Sequence, residues 1–376
     1  KARKDETFSG DFKMVAIQTE APQGGGVTVL LAQNHLNPSV YKRYQLTRKN
    51  DFTVARVTGE AMKAADGNEG ALVQLWTREM DGAIHTSKRS AAIHYFRNGT
   101  GSRGQILTNV ASNAITLVRQ SDITNFAVGI TLQAAATDGG TLRSAGANAV
   151  VAKIDRVNGI IFFSDILTNF IAAAANGDWL LREGDNNAVV QGRAAWVPTA
   201  AVTNTLFNNL DRTIDPTRLA GQTFDATGMS LRETIIESIA RIEVECGEPD
   251  TVWLHPRDKA TLIKEMEGKS LFTKETTVGI KGSDGTIGFD VIEAEFDGHK
   301  LQIISDVNCP RTEMYVEQTD IWGFDTLGPF PHIIDYDSNE FLRVFNDDSF
   351  EVRIAVRGDF ENLAPAYVCH PFNVGK

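Results

Sequence analysis

Apolar and polar positions alternate over Phe12-Lys-Met-Val-Ala-Ile17 and Phe52-Thr-Val-Ala-Arg-Val57, the period of two expected of a strand with one covered face. Val27-Thr-Val-Leu-Leu31 reads as a further short strand beyond the glycines of Gln23-Gly-Gly-Gly26. So much extended chain is poor material for an independent core, and it predicts an arm and a long loop that lie on something else. The period then changes. From Glu69 to Arg97, Leu72, Leu75, Trp76, Met80, Ala83, Ile84, Ala91 and Tyr95 fall near helical spacing, with Arg78, Asp81, His85 and Lys88 on the other side. No proline interrupts, and a helix of this length would run about 40 Å.

Gly99, Gly101 and Gly104 follow, with the G-x-G-x-x-G spacing of a dinucleotide-binding turn. That turn needs a strand before it and a helix after it, so that phosphate meets a helix N-terminus. Here a helix precedes and strand-like sequence follows. Asn98-Gly99 instead has the composition of a helix C-terminus.

Residues 106–190 alternate again, through Ala114-Ile-Thr-Leu-Val118, Val128-Gly-Ile-Thr-Leu132, Ala149-Val-Val-Ala-Lys-Ile154 and Asp178-Trp-Leu-Leu-Arg182, with Asn158-Gly159 predicting a two-residue hairpin turn. This reads as an inserted β-rich module, a small barrel or sandwich. Helices return after Pro216. Ser230-Leu-Arg-Glu233 is a capping box opening a helix whose face is Leu231, Ile235, Ile239, Ile242 and Cys246, with Gly247 ending it. Thr251–Leu254 is a short strand, and His255-Pro-Arg-Asp258 opens another helix. Val291–Glu295, Leu301–Ile304, Met314–Val316 and Ile321–Phe324 continue as strands of one sheet, and Phe341–Phe345 pairs with Phe350–Val356. The order is α+β and not a repeating βαβ unit.

Composition narrows the function classes. The chain has 376 residues, a net charge of −11 and three cysteines without a C-x-x-C pair. The acidic balance argues against general nucleic-acid affinity. The cysteine spacing argues against a disulfide framework or a cysteine zinc site. No apolar run is long enough to span a membrane. The chain opens on Lys1, as a processed product would. Lys1, Arg3 and Lys4, with Arg43, Arg48 and Lys49 further on, are the candidate contacts to another subunit. The seven histidines form no H-x-x-x-H or H-E-x-x-H arrangement. Asp335, Asp337 and Asn339 begin like a calcium loop, but Glu340 stands where glycine is needed. No nucleophile elbow or phosphate loop is present. The expectation is no catalytic residue, no cofactor and no metal.

The order of parts resembles tailed-bacteriophage major capsid proteins of the Hong-Kong-97-type fold. The segments that carry the resemblance are Ala91-Ala-Ile-His-Tyr-Phe-Arg-Asn-Gly-Thr-Gly101, Trp253-Leu-His-Pro-Arg-Asp258, and Glu351-Val-Arg-Ile-Ala-Val-Arg-Gly-Asp-Phe360 followed by Asn362-Leu-Ala-Pro-Ala366. It implies an α+β capsid fold: an N-terminal arm at 1–10, an extended loop at 11–66, the spine helix of a peripheral domain at 67–103, an inserted β-rich domain at 104–195, an axial domain at 196–335, and C-terminal strands of the peripheral domain at 336–376. It further implies a homo-oligomer of hexameric and pentameric capsomers in a virion shell assembled in the host cytoplasm. Double-stranded DNA would be enclosed and not specifically bound, and scaffold, maturation protease, portal and decoration proteins are the partners such a shell uses. A nanocompartment shell of the same fold and a carbohydrate-active enzyme using unrecognised carboxylates are the alternatives.

Overall fold

The computed structural model describes residues 3–5, 10–64, 69–267, 274–278, 289–296, 298–335 and 339–376. Two sheets, a closed barrel and a hairpin are organised around one long helix.

The larger sheet runs Gln222–Asp225, Val368–Phe372, Met314–Glu317, Thr251–Leu254, His299–Ser305, Phe289–Phe296, Lys274–Val278. Leu231–Val244 and Pro256–Glu267 pack on it, so Ile235, Ile239, Ile242 and Leu262 meet Val252, Leu254, Ile303 and Val316 in one core. The predicted capping box is formed: Ser230 Oγ accepts from the Glu233 amide at 3.2 Å, and Glu233 accepts from the Ser230 amide at 2.9 Å. The helix ends at Val244, two residues before the Cys246 that its apolar face includes. Cys246 takes a left-handed φ of 66° and is exposed, while the Gly247 amide donates back to the Ile242 carbonyl at 3.1 Å. This is a Schellman closure with cysteine in the usual glycine position.

The second sheet is built on Ser349–Asn362. Lys49–Thr58 pairs with it antiparallel from Ser349↔Thr58 to Gly358↔Lys49. Trp322–Thr326 lies on its other side, with Arg3–Asp5 parallel beyond it. Sheet membership therefore departs from the expected segments at three points. Trp322–Thr326, expected to continue the first sheet, belongs to the second, and Val368–Phe372 belongs to the first. Arg3–Asp5, expected as a free arm, is a strand of this chain's own sheet. Sequence pattern gives a strand's existence, whereas its neighbour is set by long-range packing.

The helix Glu69–Tyr95 lies against the second sheet, with Ala83 packed on Ala55 and Ile354. Asp81, His85 and Lys88 face solvent as predicted. Its buried side also carries Ser87 and Ser90, small residues that let a helix approach a sheet closely. Past Tyr95, Gly99 and Gly101 take φ of 82° and 87°, and the strand Ser102–Thr108 follows. The glycines end a helix, and no helix N-terminus is offered to a phosphate.

The inserted module is a closed six-stranded barrel, in the order Trp179–Arg182, Ser102–Thr108, Ala114–Leu117, Ile160–Phe163, Asn148–Asp155, Thr131–Ala135. Ile106, Ile115, Phe126, Leu132, Ile161 and Leu180 fill its interior. Asp155 pairs with Ile160, which leaves a four-residue turn in place of the expected two-residue one. Asp155 itself dictates this, accepting from the Val157 and Asn158 amides at 3.0 and 3.2 Å.

Candidate assembly surface

Phe12–Glu20 and Val40–Thr47 form an antiparallel hairpin, and its two faces have different fates. Val15, Ile17, Tyr44 and Leu46 pack on Trp196, Val197, Leu219 and Trp322 of the body, with the Tyr44 hydroxyl donating to the Leu219 carbonyl. The base of the segment expected as a loop over a neighbour is therefore pinned to its own chain. The tip is not. Val27-Thr-Val-Leu-Leu31, expected as a strand, turns into the helix Val29–Asn34 because Thr28 Oγ1 accepts from the Leu31 amide at 3.3 Å and caps it. None of its residues is buried. Val27, Val29, Leu30 and Leu36 are 95%, 75%, 67% and 71% exposed. A cluster of large apolar side chains presented on a pinned stalk marks an interaction surface.

The body beneath the stalk carries a charged rivet. Arg193, on the segment that leaves the barrel after Trp179–Arg182, forms a bidentate pair with Glu317 of the larger sheet, and both are shielded from water. The guanidinium lies 3.8 Å from the ring centre of Tyr95 and 4.8 Å from that of Trp253. Trp253 Nε1 donates to Glu317 Oε1 at 2.7 Å. Burial opposes the Arg193 charge, but Glu317 outweighs it and raises the pKa; burial likewise pushes the Tyr95 phenol up to about 12. Gly192 makes the approach possible, since a Cβ there would stand 2.2 Å from the His94 carbonyl and 2.4 Å from that of Tyr95. The end of the long helix, the barrel exit and the larger sheet thus meet at one point.

A second network ties the barrel to the strand Lys49–Thr58. Arg182 pairs with Asp51 at 2.7 Å and with Asp185 at 2.8 Å, while Arg103 and His94 approach Asp185 at 3.4 and 3.7 Å. Burial lowers the His94 pKa and favours the neutral ring. His370 Nδ1 donates to the Val197 carbonyl at 2.8 Å, and the ring stacks on Tyr315 and faces Glu313 at 3.4 Å. Burial raises the Cys309 and Cys369 thiols, which keeps them poor nucleophiles. Among the described residues no group of three His, Cys, Asp or Glu could hold a metal ion. Every polar centre described here joins elements of the fold to one another.

The sequence-predicted contacts are dispersed. Lys1 lies outside the described residues, as do Asp337 and part of the calcium-like stretch. Arg3 and Lys4 fall on the strand paired to Gly323–Asp325. Arg48 donates to the Gly10 carbonyl at 2.9 Å and Lys49 to the Asn187 carbonyl at 3.4 Å, both within the chain. Arg43 is exposed on the hairpin. His255 accepts at Nδ1 from the Arg257 amide at 3.2 Å. Sequence reasoning missed the tip helix and the Arg193–Glu317 rivet. The Thr28 cap was a legible signal for the first, but nothing local marks the second.

The sequence matches no protein-family model and no curated protein. In structure the chain is similar to the capsid asymmetric unit of cyanophage A-1(L), at 9% identity and a TM-score of 0.53, covering 100% of this chain and 90% of that one. It is similar as well to the holo-SrpI encapsulin complex of Synechococcus elongatus PCC 7942, at 8% identity and a TM-score of 0.50, covering 99% and 85%. Together with the long helix, the two sheets and the pinned hairpin, this likeness over nearly the whole chain is one of fold, and the chain has the Hong-Kong-97-type capsid fold.

Proposed function

We propose that the chain is the major capsid protein of a tailed double-stranded-DNA phage, forming hexamers and pentamers of an icosahedral shell. The observation that carries the reading is the tip helix Val29–Asn34, with no buried residue, on a hairpin whose base is fixed to the body. Such a tip is costly in a monomer and is covered when it lies on a neighbouring subunit. Many modest contacts of this kind sum to a stable shell. In this reading the helix Glu69–Tyr95 and the sheet on Ser349–Asn362 form the peripheral domain, the seven-stranded sheet the axial domain, and the barrel an insertion. The net charge of −11 suits a container that encloses DNA without gripping it.

The encapsulin likeness favours a second reading, a nanocompartment shell around protein cargo. Particles purified from the native source and treated with nuclease distinguish the two. Protected DNA of genome length supports the phage capsid. Particles filled with a folded protein and free of DNA support the compartment.

A further inference from the structure

We propose that the cleft between the barrel and the larger sheet binds a small ring-bearing phosphate of the nucleoside monophosphate class, with Arg212 gripping the phosphate and Trp179 beside the ring. The cleft has a volume of about 490 Å³, within the range of small-molecule sites. Ser102, Arg119 and Trp179 line it from the barrel module, Arg97 from the end of the long helix, Arg212 from the chain beyond Arg193–Trp196, and His370 from the larger sheet.

Charge on this wall does not balance. Arg97 pairs with Asp122 at 2.8 Å, and Arg119 pairs with Glu313. Arg212 has no carboxylate partner among the described residues. Its Nη1 donates to the Ala195 and Trp196 carbonyls, both at 3.0 Å, and the guanidinium lies 4.1 Å from the ring centre of Phe207. Those contacts fix the fork in place, while Nε and Nη2 make no hydrogen bond among the described residues. Burial lowers the Arg212 pKa, and only the Tyr44 phenol opposes it. Burying a guanidinium without an anion is costly. An anion with two oxygens set against the unused edge of the fork would relieve that cost.

The remaining wall selects the kind of anion. Arg97 Nε and Ser102 Oγ are buried with no hydrogen-bond partner, so donor capacity is left over beyond Arg212. A phosphate monoester offers three acceptor oxygens to such donors, one more than a carboxylate. The cleft is also far larger than a phosphate ion. Trp179 and Phe207, both half-buried, line it together with Ala194 and Pro198, an apolar surface that suits a flat ring. Asp138, exposed where it lines the cleft, accepts from Asn98 and Thr100 and has further lone pairs for ribose hydroxyls. A cationic pole, an apolar body and an acceptor at the exposed side match a nucleotide. Bound there, it would bridge the barrel to the chain that carries Arg212 and stabilise the subunit by mass action.

The site lies inside one subunit, so its test is independent of what the shell contains. The full-length chain is titrated by calorimetry with adenosine monophosphate, adenosine and inorganic phosphate. Adenosine monophosphate should bind at one saturable site, at least about tenfold more tightly than either fragment. Its affinity should fall as salt rises, since the grip is ionic. Arg212→Gln should bring the nucleotide down to the affinity of adenosine. Ala200→Trp, at an exposed position on the cleft wall, should block binding and leave the Tm of the free subunit unchanged. No saturable binding of adenosine monophosphate, adenosine that binds as tightly, or an affinity unchanged in Ala200→Trp would overturn the proposal. A terminally phosphorylated oligonucleotide that binds more tightly than the monomer would overturn the free nucleotide as occupant. Where Arg212→Gln fails to fold, Ala200→Trp and the comparison with adenosine decide.

Discussion

Asp325 and Asp359 face each other in register across the antiparallel strands Trp322–Thr326 and Ser349–Asn362, both shielded from solvent. Asp359 Oδ1 accepts from the Gln191 amide at 2.8 Å and the Phe360 amide at 2.9 Å, while Oδ2 is buried without a donor. Two acids on one covered face cannot both hold a charge cheaply.

The consequence is a stability that falls toward alkaline pH. Burial pushes the Asp359 carboxyl up to about 7 despite its backbone hydrogen bonds, against about 3.9 in an unfolded chain. The folded state therefore binds the extra proton between those values, and the stability it contributes is lost as pH rises through about 7. Glu313 acts oppositely. His370 and Arg119 outweigh burial and lower it to about 2, so its contribution is present above its ordinary pKa and lost as pH falls toward 2. Thermal unfolding of unassembled subunits should show a Tm maximum in mildly acid buffer. Asp359→Asn should raise Tm near pH 8 and leave it little changed near pH 5. A variant that loses stability equally at both values would show that Asp359 is ionised throughout.

Arg193 and Glu317 make the second prediction. Removing one member leaves the other charged and buried, which costs about 3–5 kcal/mol. Arg193→Met should lower the unfolding free energy by that amount, and Arg193→Met with Glu317→Leu should recover much of it. Urea unfolding of the three proteins forms the test. A double variant as weak as the single one would mean that the aromatic stacking on Tyr95 and Trp253 matters more than the charge.

Gly192 makes the third. Its Cβ would meet two backbone carbonyls that end the long helix, and backbone cannot swing aside as a side chain can. Gly192→Ala should cost about 1–3 kcal/mol, the scale of overpacking in a dense interior. Gly82→Ala, where a Cβ meets nothing within 4 Å, is the control and should be neutral or slightly stabilising. Equal effects of the two would contradict the close approach.

Much of the architecture was legible because its signals are local. The Asn98-Gly99 helix end, the Ser230–Glu233 box and the alternation that becomes the barrel each lie within a few residues. What failed was non-local or finely balanced. Val27–Leu31 is β-branched and apolar, so its period matched a strand, and one threonine cap decided for a helix. Val368–Phe372 crosses to the first sheet because Cys369 and His370 pair with Gln222 and Thr223, partners no pattern could name. The basic residues chosen as subunit contacts were chosen for charge. The hairpin tip is apolar, and within this chain Arg48 and Lys49 donate to backbone carbonyls.

The central claim is that the tip helix is covered by a second copy. Negative-stain electron microscopy and light scattering of the full-length chain, beside a Val29→Asp, Leu30→Asp variant, test it most directly. Both positions are exposed in the subunit, so the variant should keep its unfolding free energy within about 0.5 kcal/mol of the parent's. The account predicts closed particles or hexameric and pentameric rings for the unaltered chain, and their loss in the variant. A unaltered chain that stays monomeric, or a variant that assembles as well as its parent, would contradict it.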